Sequence, residues 1–566
     1  MSFQPSRTET VKTLFHGNRF IIPKYQRKYS WRFEQRKALF DDIMENLKLN
    51  HFIGTLCFHK SNHTSDLIND CYEIIDGQQR ITTLFILLNV LIEKLPEGEI
   101  KSSYLQLYIG EANKPKLVPL GNDQDFIEKL IFNYKEIKDK DITTRSQRFL
   151  LEAKRDYISM TKSFSNEKTT EFINYIAKKI ELLIFNVEDQ AQAVKMFTVI
   201  NDRGLPLSNF DKTKSTLILY STIYLDEELN QFINESFGQI FDYLDNALNK
   251  KEELQLFRTL EEQEFENTFY THHYYSARFL FEDWDYQLGA NSIFIQLKRR
   301  CESLKDNPGN LKKFISDYTN DLLEFSKSYS NLFDEIPKRK KYIQLFQYLE
   351  FTATLYPFII RINQQNRLNN FLKILETTEV RIYKLKNTNP RRFMYQLSSE
   401  IMEEELSNGE IFSKLREFNT NFLNDYRLQE YLGDIVDQKT GLIRYIMYCI
   451  NKEKFDQDLS LEEYRNLQVE HIFSVNPNFG IKKYGFGRHE TYDYETSKIG
   501  NLVILEKKLN KRVSNLAPVD KTDGYQQSNL KIISDLLGQL GEFHKTKIES
   551  RNDEIIEFCL NRFKIN

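Results

Sequence analysis

The sequence predicts an α+β chain of more than one domain. Three observations carry that expectation. At 566 residues the chain exceeds what one hydrophobic core usually organises, which points to two or three domains. Short apolar runs ended by Gly, Pro or Asp alternate with helical periodicity up to about residue 220, and two such runs return after residue 466. Between them, leucines and aromatics recur at spacings of three and four with charges interposed, which predicts helices. The expected division is 1–220 α/β, 221–420 helical, and 421–566 a small strand-and-helix domain.

Each element has a local reason. RFIIP reads as a short strand stopped by Pro23, whose ring removes a backbone donor. EQRKALFDDIMENL places Leu39, Phe40, Ile43, Met44 and Leu47 at helical spacing. HFIGTLCF and CYEIID read as strands. The run from Thr82 to Leu95 is apolar on nearly every face, predicting a buried helix ended by Pro96. ELLIFNV is a further strand, and AQAVKMFTVIN a helix closed near Gly204. LSNFDKTKSTLILY opens another helix, with Ser208 and Asp211 placed as a capping box. Near the end, NLQVEHIF and IGNLVIL predict two strands around a Gly-, Asn- and Tyr-rich loop, followed by a helix-forming tail.

Composition narrows the function classes. Net charge is −3, so any nucleic-acid contact must come from a local patch. No apolar run approaches membrane-spanning length, and the first residues carry no hydrophobic leader. The five cysteines are scattered without a CxxC pair, which argues against a zinc ribbon or disulfide scaffold and for a reducing cytoplasm. No P-loop string and no G-x-S-x-G string is present.

The stretch Asp76-Gly77-Gln78-Gln79-Arg80 stands where an apolar strand hands over to the buried helix. A helix N-terminus offers unpaired N–H groups and a partial positive charge. Gly77 permits close backbone approach, and Arg80 can grip a phosphate through two parallel bonds. The same residues also suit a plain Asp-Gly turn into a capped helix. Two further polar clusters follow apolar elements: Gln26-Arg27, and Asn201-Asp202-Arg203 beside a glycine.

The strings IPKYQRKYSW, HFIGTLCF, YEIIDGQQRITTL and FTVINDRGLPLSNFD, in that order, resemble the N-terminal domain of GmrSD-type restriction proteins. That domain is similar to the ParB/sulfiredoxin nucleotide-binding fold. The resemblance implies a nucleoside triphosphate site at Asp76, Gly77, Gln78, Gln79 and Arg80, with Gln26 and Arg27 nearby. It implies NTPase activity, and it matches Asn201 to the family's FxxxN element.

In LQVEHIFSVNP, Glu470 precedes His471 at the end of a strand; Asn501 begins a second strand, and Asn510 falls on the first turn of a helix. Phosphodiester hydrolysis needs an activated water, neutralisation of the phosphate and stabilisation of the leaving oxygen. A neutral histidine suits the proton transfer. Glu470 and Asn510 offer hard oxygen ligands for Mg²⁺ or Mn²⁺, and Asn501 would brace the loop. Neighbouring strand residues face opposite ways, so Glu470 and His471 share a site only if the strand ends or twists there. The order strand, loop, strand, helix with His, Asn, Asn resembles the HNH, or ββα-metal, nuclease finger that accompanies the N-terminal domain in GmrSD proteins. The Asn501-to-Asn510 spacing is similar to that in the HNH domain of CRISPR effector nucleases. Where many relatives carry proline after the His-Ile pair, this chain has Phe473, Ser474 and Val475.

The resemblance implies a nucleotide-regulated, metal-dependent endonuclease of antiviral defence that cuts or nicks foreign DNA. Its partners would be DNA, nucleotide, and a second copy of the chain or other defence-system proteins. Two alternatives stay open: a nucleotide- or DNA-binding regulator with an inactive finger, and a nuclease toxin. His272-His273 reads as packing or a surface face rather than a metal site. The basic runs at Lys338–Lys341 and Arg391-Arg392 could meet phosphates but also suit solvated helix ends.

Overall fold

A computed structural model describes residues 7–565 except 25, 46, 48, 62–69, 113, 122, 188–207, 256–261 and 435–437. The chain is mixed α/β, mostly helical, and divides into two compact units. One comprises Met1–Glu253, Thr259–Thr271 and Leu288–Ser330; the other Leu254–Arg258, His272–Gln287 and Asn331–Asn566. The helices between 221 and 420 are therefore shared between the two.

The first unit is built on a six-stranded mixed sheet: β1 (Arg7–Thr10), β2 (Asn18–Ile22), β3 (His51–Lys60), β4 (Asp70–Asp76), β5 (Leu117–Pro119) and β6 (Ile180–Val187). Their order is β1-β6-β3-β4-β2-β5. β1 runs antiparallel to β6 and β3 antiparallel to β4; the other neighbours are parallel. The four strands read from the sequence form the middle of this sheet. The two outermost, β1 (RTET) and β5 (LVP), carry no apolar run long enough to announce them.

The helices of this unit used below are α1 (Phe33–Glu45), α2 (Gln78–Glu93), α3 (Arg145–Met160), α4 (Asn166–Lys179), α5 (Asn209–Tyr224) and α6 (Asn230–Glu253). Every residue of α2 from Ile81 to Ile92 is buried, and α3 and α4 pack against it. Its polar Asn89 accepts from the fully buried Lys154 Nζ at 2.9 Å, an ammonium also held by Glu93 and the Leu130 carbonyl. Ser208 caps α5, its Oγ accepting from the Asp211 N–H. The helix expected at AQAVKMFTVIN, with Asn201, Asp202, Arg203 and Gly204, lies outside the described residues.

In the second unit, α7 (Thr440–Phe455) backs an antiparallel pair, β7 (Leu467–His471) and β8 (Leu502–Glu506), with Glu470 opposite Val503 and His471 opposite Leu502. β8 runs straight into α8 (Lys507–Val513), and the chain closes with α9 (Lys545–Arg562). Gly500 lies directly against α9. A Cβ there would stand 2.1 Å from the Ile548 carbonyl oxygen and 2.7 Å from the Asn552 nitrogen. Arg551 on α9 donates to the Gly500 carbonyl at 2.9 Å. His272 and His273 are buried, as packing requires. Lys338 and Arg339 pair with Glu335, and Lys341 with Glu376, so that basic run is not a loose cationic patch. Among the described residues no helix is long and apolar enough to cross a membrane, and all five cysteines are buried thiols.

Candidate active site

Two places gather the residues that the sequence singles out. In the first unit, a pocket of about 170 Å³ opens beside the N-terminus of α2. Gln26, Arg27, Gln78 and Gln79 line it, together with Lys24, Lys28, Asp123 and Asp242. Asp76, Gly77 and Arg80 are not on its wall. Gly77 caps α2 at φ +89°, and no side chain caps the first turn. A Cβ at this glycine would fall 2.3 Å from Leu56 Cδ2, so the turn needs glycine for both torsion and space.

The polar residues on that wall have different duties. Gln26 Nε2 donates to the Ile75 carbonyl at 3.0 Å, tying the loop after β2 to β4. Gln79 accepts from Ser30 N–H and donates to the Lys28 carbonyl, each at 2.9 Å, holding the same loop. Arg27 is a structural clamp rather than an open anion grip. Its guanidinium bonds Asp211, Ser208 and both oxygens of Glu266 at 2.5–2.9 Å and lies over the Phe241 ring. Two carboxylates offset its charge, which leaves little for a phosphate. Arg80 turns the other way. It stacks on Gly54 and donates to the Thr55 carbonyl at 2.8 Å, and burial lowers its pKa against the influence of Asp76. Gln78 differs from all of these: its Oε1 is buried on the pocket wall without a hydrogen-bond partner. Lys28 Nζ pairs with Asp242 at 2.8 Å, and burial raises the pKa of Asp123 despite bonds from Ser146 and Thr144.

The second place is the end of β7. Val469 and His471 share a strand face by the two-residue period. Asn510, on α8, directs its amide at the Val469 carbonyl and at Gln468 Oε1, both 3.3 Å away. Asn501 is fully buried and latches the loop that follows His471. Its Oδ1 accepts from Phe473 N–H at 2.8 Å, and its Nδ2 donates to the Phe473 and Thr496 carbonyls at 2.9 and 2.8 Å. The Asn501 carbonyl accepts from Ile472 N–H at 2.9 Å. Phe473 follows the His-Ile pair in this loop. Its ring is buried among Tyr484, Phe486, Tyr492 and Phe543, so packing fixes the loop.

Glu470, expected from the sequence to be a metal ligand, is engaged by protein partners. The strand keeps a regular register up to its last residue, His471, which sets Glu470 and His471 on opposite faces. The Glu470 carboxylate is buried, accepting from Lys521 Nζ at 2.6 Å and from the Tyr525 hydroxyl at 3.1 Å. Burial raises its pKa and lowers that of Lys521, each countered by the other's charge. Mg²⁺ and Mn²⁺ take carboxylate and water oxygens. Of the residues read from the sequence for this site, only Glu470 carries a carboxylate. Among the described residues no three His, Cys, Asp or Glu side chains gather to hold an ion. Nothing in the local sequence announces Lys521 or Tyr525, which stand some fifty residues downstream of the strand they complete.

The surface beside Asn510 is cationic. Lys507, Lys508, Lys511 and Arg512 are exposed on one side of α8 and make no ion pair among the described residues. Residues 11–218 match the model of the N-terminal domain of GmrSD restriction endonucleases, and residues 422–558 match that of their C-terminal domain. The chain belongs to the GmrSD restriction endonuclease family. No curated protein matches it. This GmrSD family member thus carries both domains of a restriction endonuclease, a nuclease family whose substrate is DNA. Gln26, Arg27, Gln78 and Gln79 on the pocket wall fall in the first matched segment, and His471, Asn501 and Asn510 fall in the second.

Proposed function

We propose that this protein is a nucleotide-regulated endonuclease of antiviral defence, with its cutting centre at His471. The observation that carries the reading is the placement of His471. It ends a strand, its following loop is latched by buried Asn501, and Asn510 stands against the same strand from α8. This arrangement supports an HNH-type finger. The His471 imidazole takes the proton of the attacking water, Asn501 fixes the backbone that carries it, and Asn510 faces the scissile phosphate. The cations on α8 would neutralise neighbouring DNA phosphates. Incubating the purified protein with modified and unmodified phage DNA, with and without ATP or GTP and a divalent cation, tests the reading. Nicking or cutting is expected, and its absence under every condition would defeat it.

The α8 surface yields its own prediction. Replacing Lys507, Lys508, Lys511 and Arg512 together with alanine should weaken DNA binding regardless of sequence. The slope of log affinity against log salt should become shallower by roughly 0.9 for each phosphate no longer neutralised. Fluorescence anisotropy across a salt series reads this. An unchanged slope would place the DNA elsewhere.

In the N-terminal domain, the reading is that a nucleotide phosphate or sugar docks in the pocket at the head of α2. The support is the uncapped helix terminus and the unpartnered Gln78 Oε1 beside it. Removing one neutral hydrogen bond costs about 0.5–1.5 kcal/mol. Gln78→Ala should therefore weaken nucleotide binding by up to roughly tenfold without lowering thermal stability. Calorimetric titration with ATP and GTP decides it, and wild-type affinity in Gln78→Ala would return the pocket to a structural void. Arg80→Ala is a poorer probe, because Arg80 also packs on Gly54 and bonds β3.

A further inference from the structure

Lys521 is the most deeply committed charge near His471. It is 0% exposed, in the turn Pro518–Lys521, and its Nζ donates to two acceptors at 2.6 Å: Glu470 Oε1 and the His471 carbonyl. The Glu470 carboxylate in turn accepts a backbone hydrogen bond from His471. One ion pair therefore holds both the N–H and the C=O of His471. Tyr525, one turn further along the chain, braces the carboxylate at 3.1 Å. One residue beyond His471, the Asn501 latch begins. A buried ion pair is costly to desolvate, and an apolar pair of similar volume often serves stability as well. Stability alone therefore does not account for it, whereas a fixed direction for the His471 backbone does.

We propose that Glu470 and Lys521 form a positioning pair for His471, with Glu470 acting through the His471 peptide rather than as an ion ligand. The proposal rests on the reading of His471 as the general base. Groups that orient a reacting residue from behind typically contribute ~10–100-fold in activity. The full-length protein is assayed on duplex plasmid DNA across Mg²⁺ and Mn²⁺ titrations. Lys521→Met should lower kcat by that amount with KM for DNA unchanged, and Lys521→Arg should recover part of it. Glu470→Gln should lower kcat without raising the half-saturating cation concentration.

Lys521→Met strands a buried carboxylate, so the Glu470→Leu/Lys521→Met double variant is measured beside it. With both charges gone it should fold, as checked by circular dichroism, and show the same loss of kcat. A folded double variant with wild-type kcat overturns the proposal. So does a Glu470→Gln protein that needs roughly tenfold more cation but regains full kcat, since that is how a lost ligand behaves. Acylation of His471 by diethyl pyrocarbonate, mapped by mass spectrometry, reads its orientation without any cleavage. It should quicken in Lys521→Met, and an unchanged rate overturns the pair's role. If His471→Ala cuts DNA like the wild type, the general-base reading fails separately, and the acylation rates still decide the positioning.

Discussion

His471→Ala should remove DNA cleavage while leaving the fold and nucleotide binding in place. Loss of a positioned general base costs on the order of 10²–10⁴-fold in rate. The side chain stands at the end of β7, and the loop beyond it is held by Asn501 and by the buried Phe473 ring. Thermal melting should therefore change little. Plasmid cleavage under single-turnover conditions gives the rate, and near-normal cutting by the folded variant would remove His471 from the mechanism.

Gly500→Ala should be the most damaging single methyl in the second unit. The added carbon would sit 2.1 Å from the Ile548 carbonyl and 2.7 Å from the Asn552 nitrogen, both backbone atoms of α9. Backbone cannot rotate away as a side chain can, so α9 must shift or β8 must yield. Overpacking of this kind costs about 1–3 kcal/mol, and rigid backbone neighbours favour the upper end. The Arg551 bonds to the Gly500 and Leu502 carbonyls would be strained by the same shift. Asn501 is the next residue, so the latch on the His471 loop moves with it. A lowered melting temperature together with reduced cleavage is expected. A variant as stable and active as the wild type would show that α9 can retreat freely.

Much of this was legible in one dimension. Strand and helix periodicity located the four inner strands of the sheet, the wholly buried α2 and the β7–β8–α8 succession, because each is a local pattern of apolar spacing. His471, Asn501 and Asn510 were picked out by the resemblance of their strand, loop, strand, helix order to the HNH finger, not by apolar spacing. The edge strands β1 and β5 escaped notice, since a short strand paired along one side needs few apolar residues.

Which way a polar side chain turns was decided only in three dimensions. Arg27 and Arg80 look alike beside their glutamines, yet one is clamped by Asp211 and Glu266 and the other packs on Gly54. Glu470 reads as a ligand next to His471, yet Lys521, some fifty residues away, claims it. The physical reason is common to all three. A buried charge must find its counter-charge or hydrogen-bond partners wherever the fold brings them, and distance along the chain does not limit that choice. The sequence by itself determined the elements and the residue types at the two sites, whereas the tertiary structure determined which of those charges remained available for a ligand.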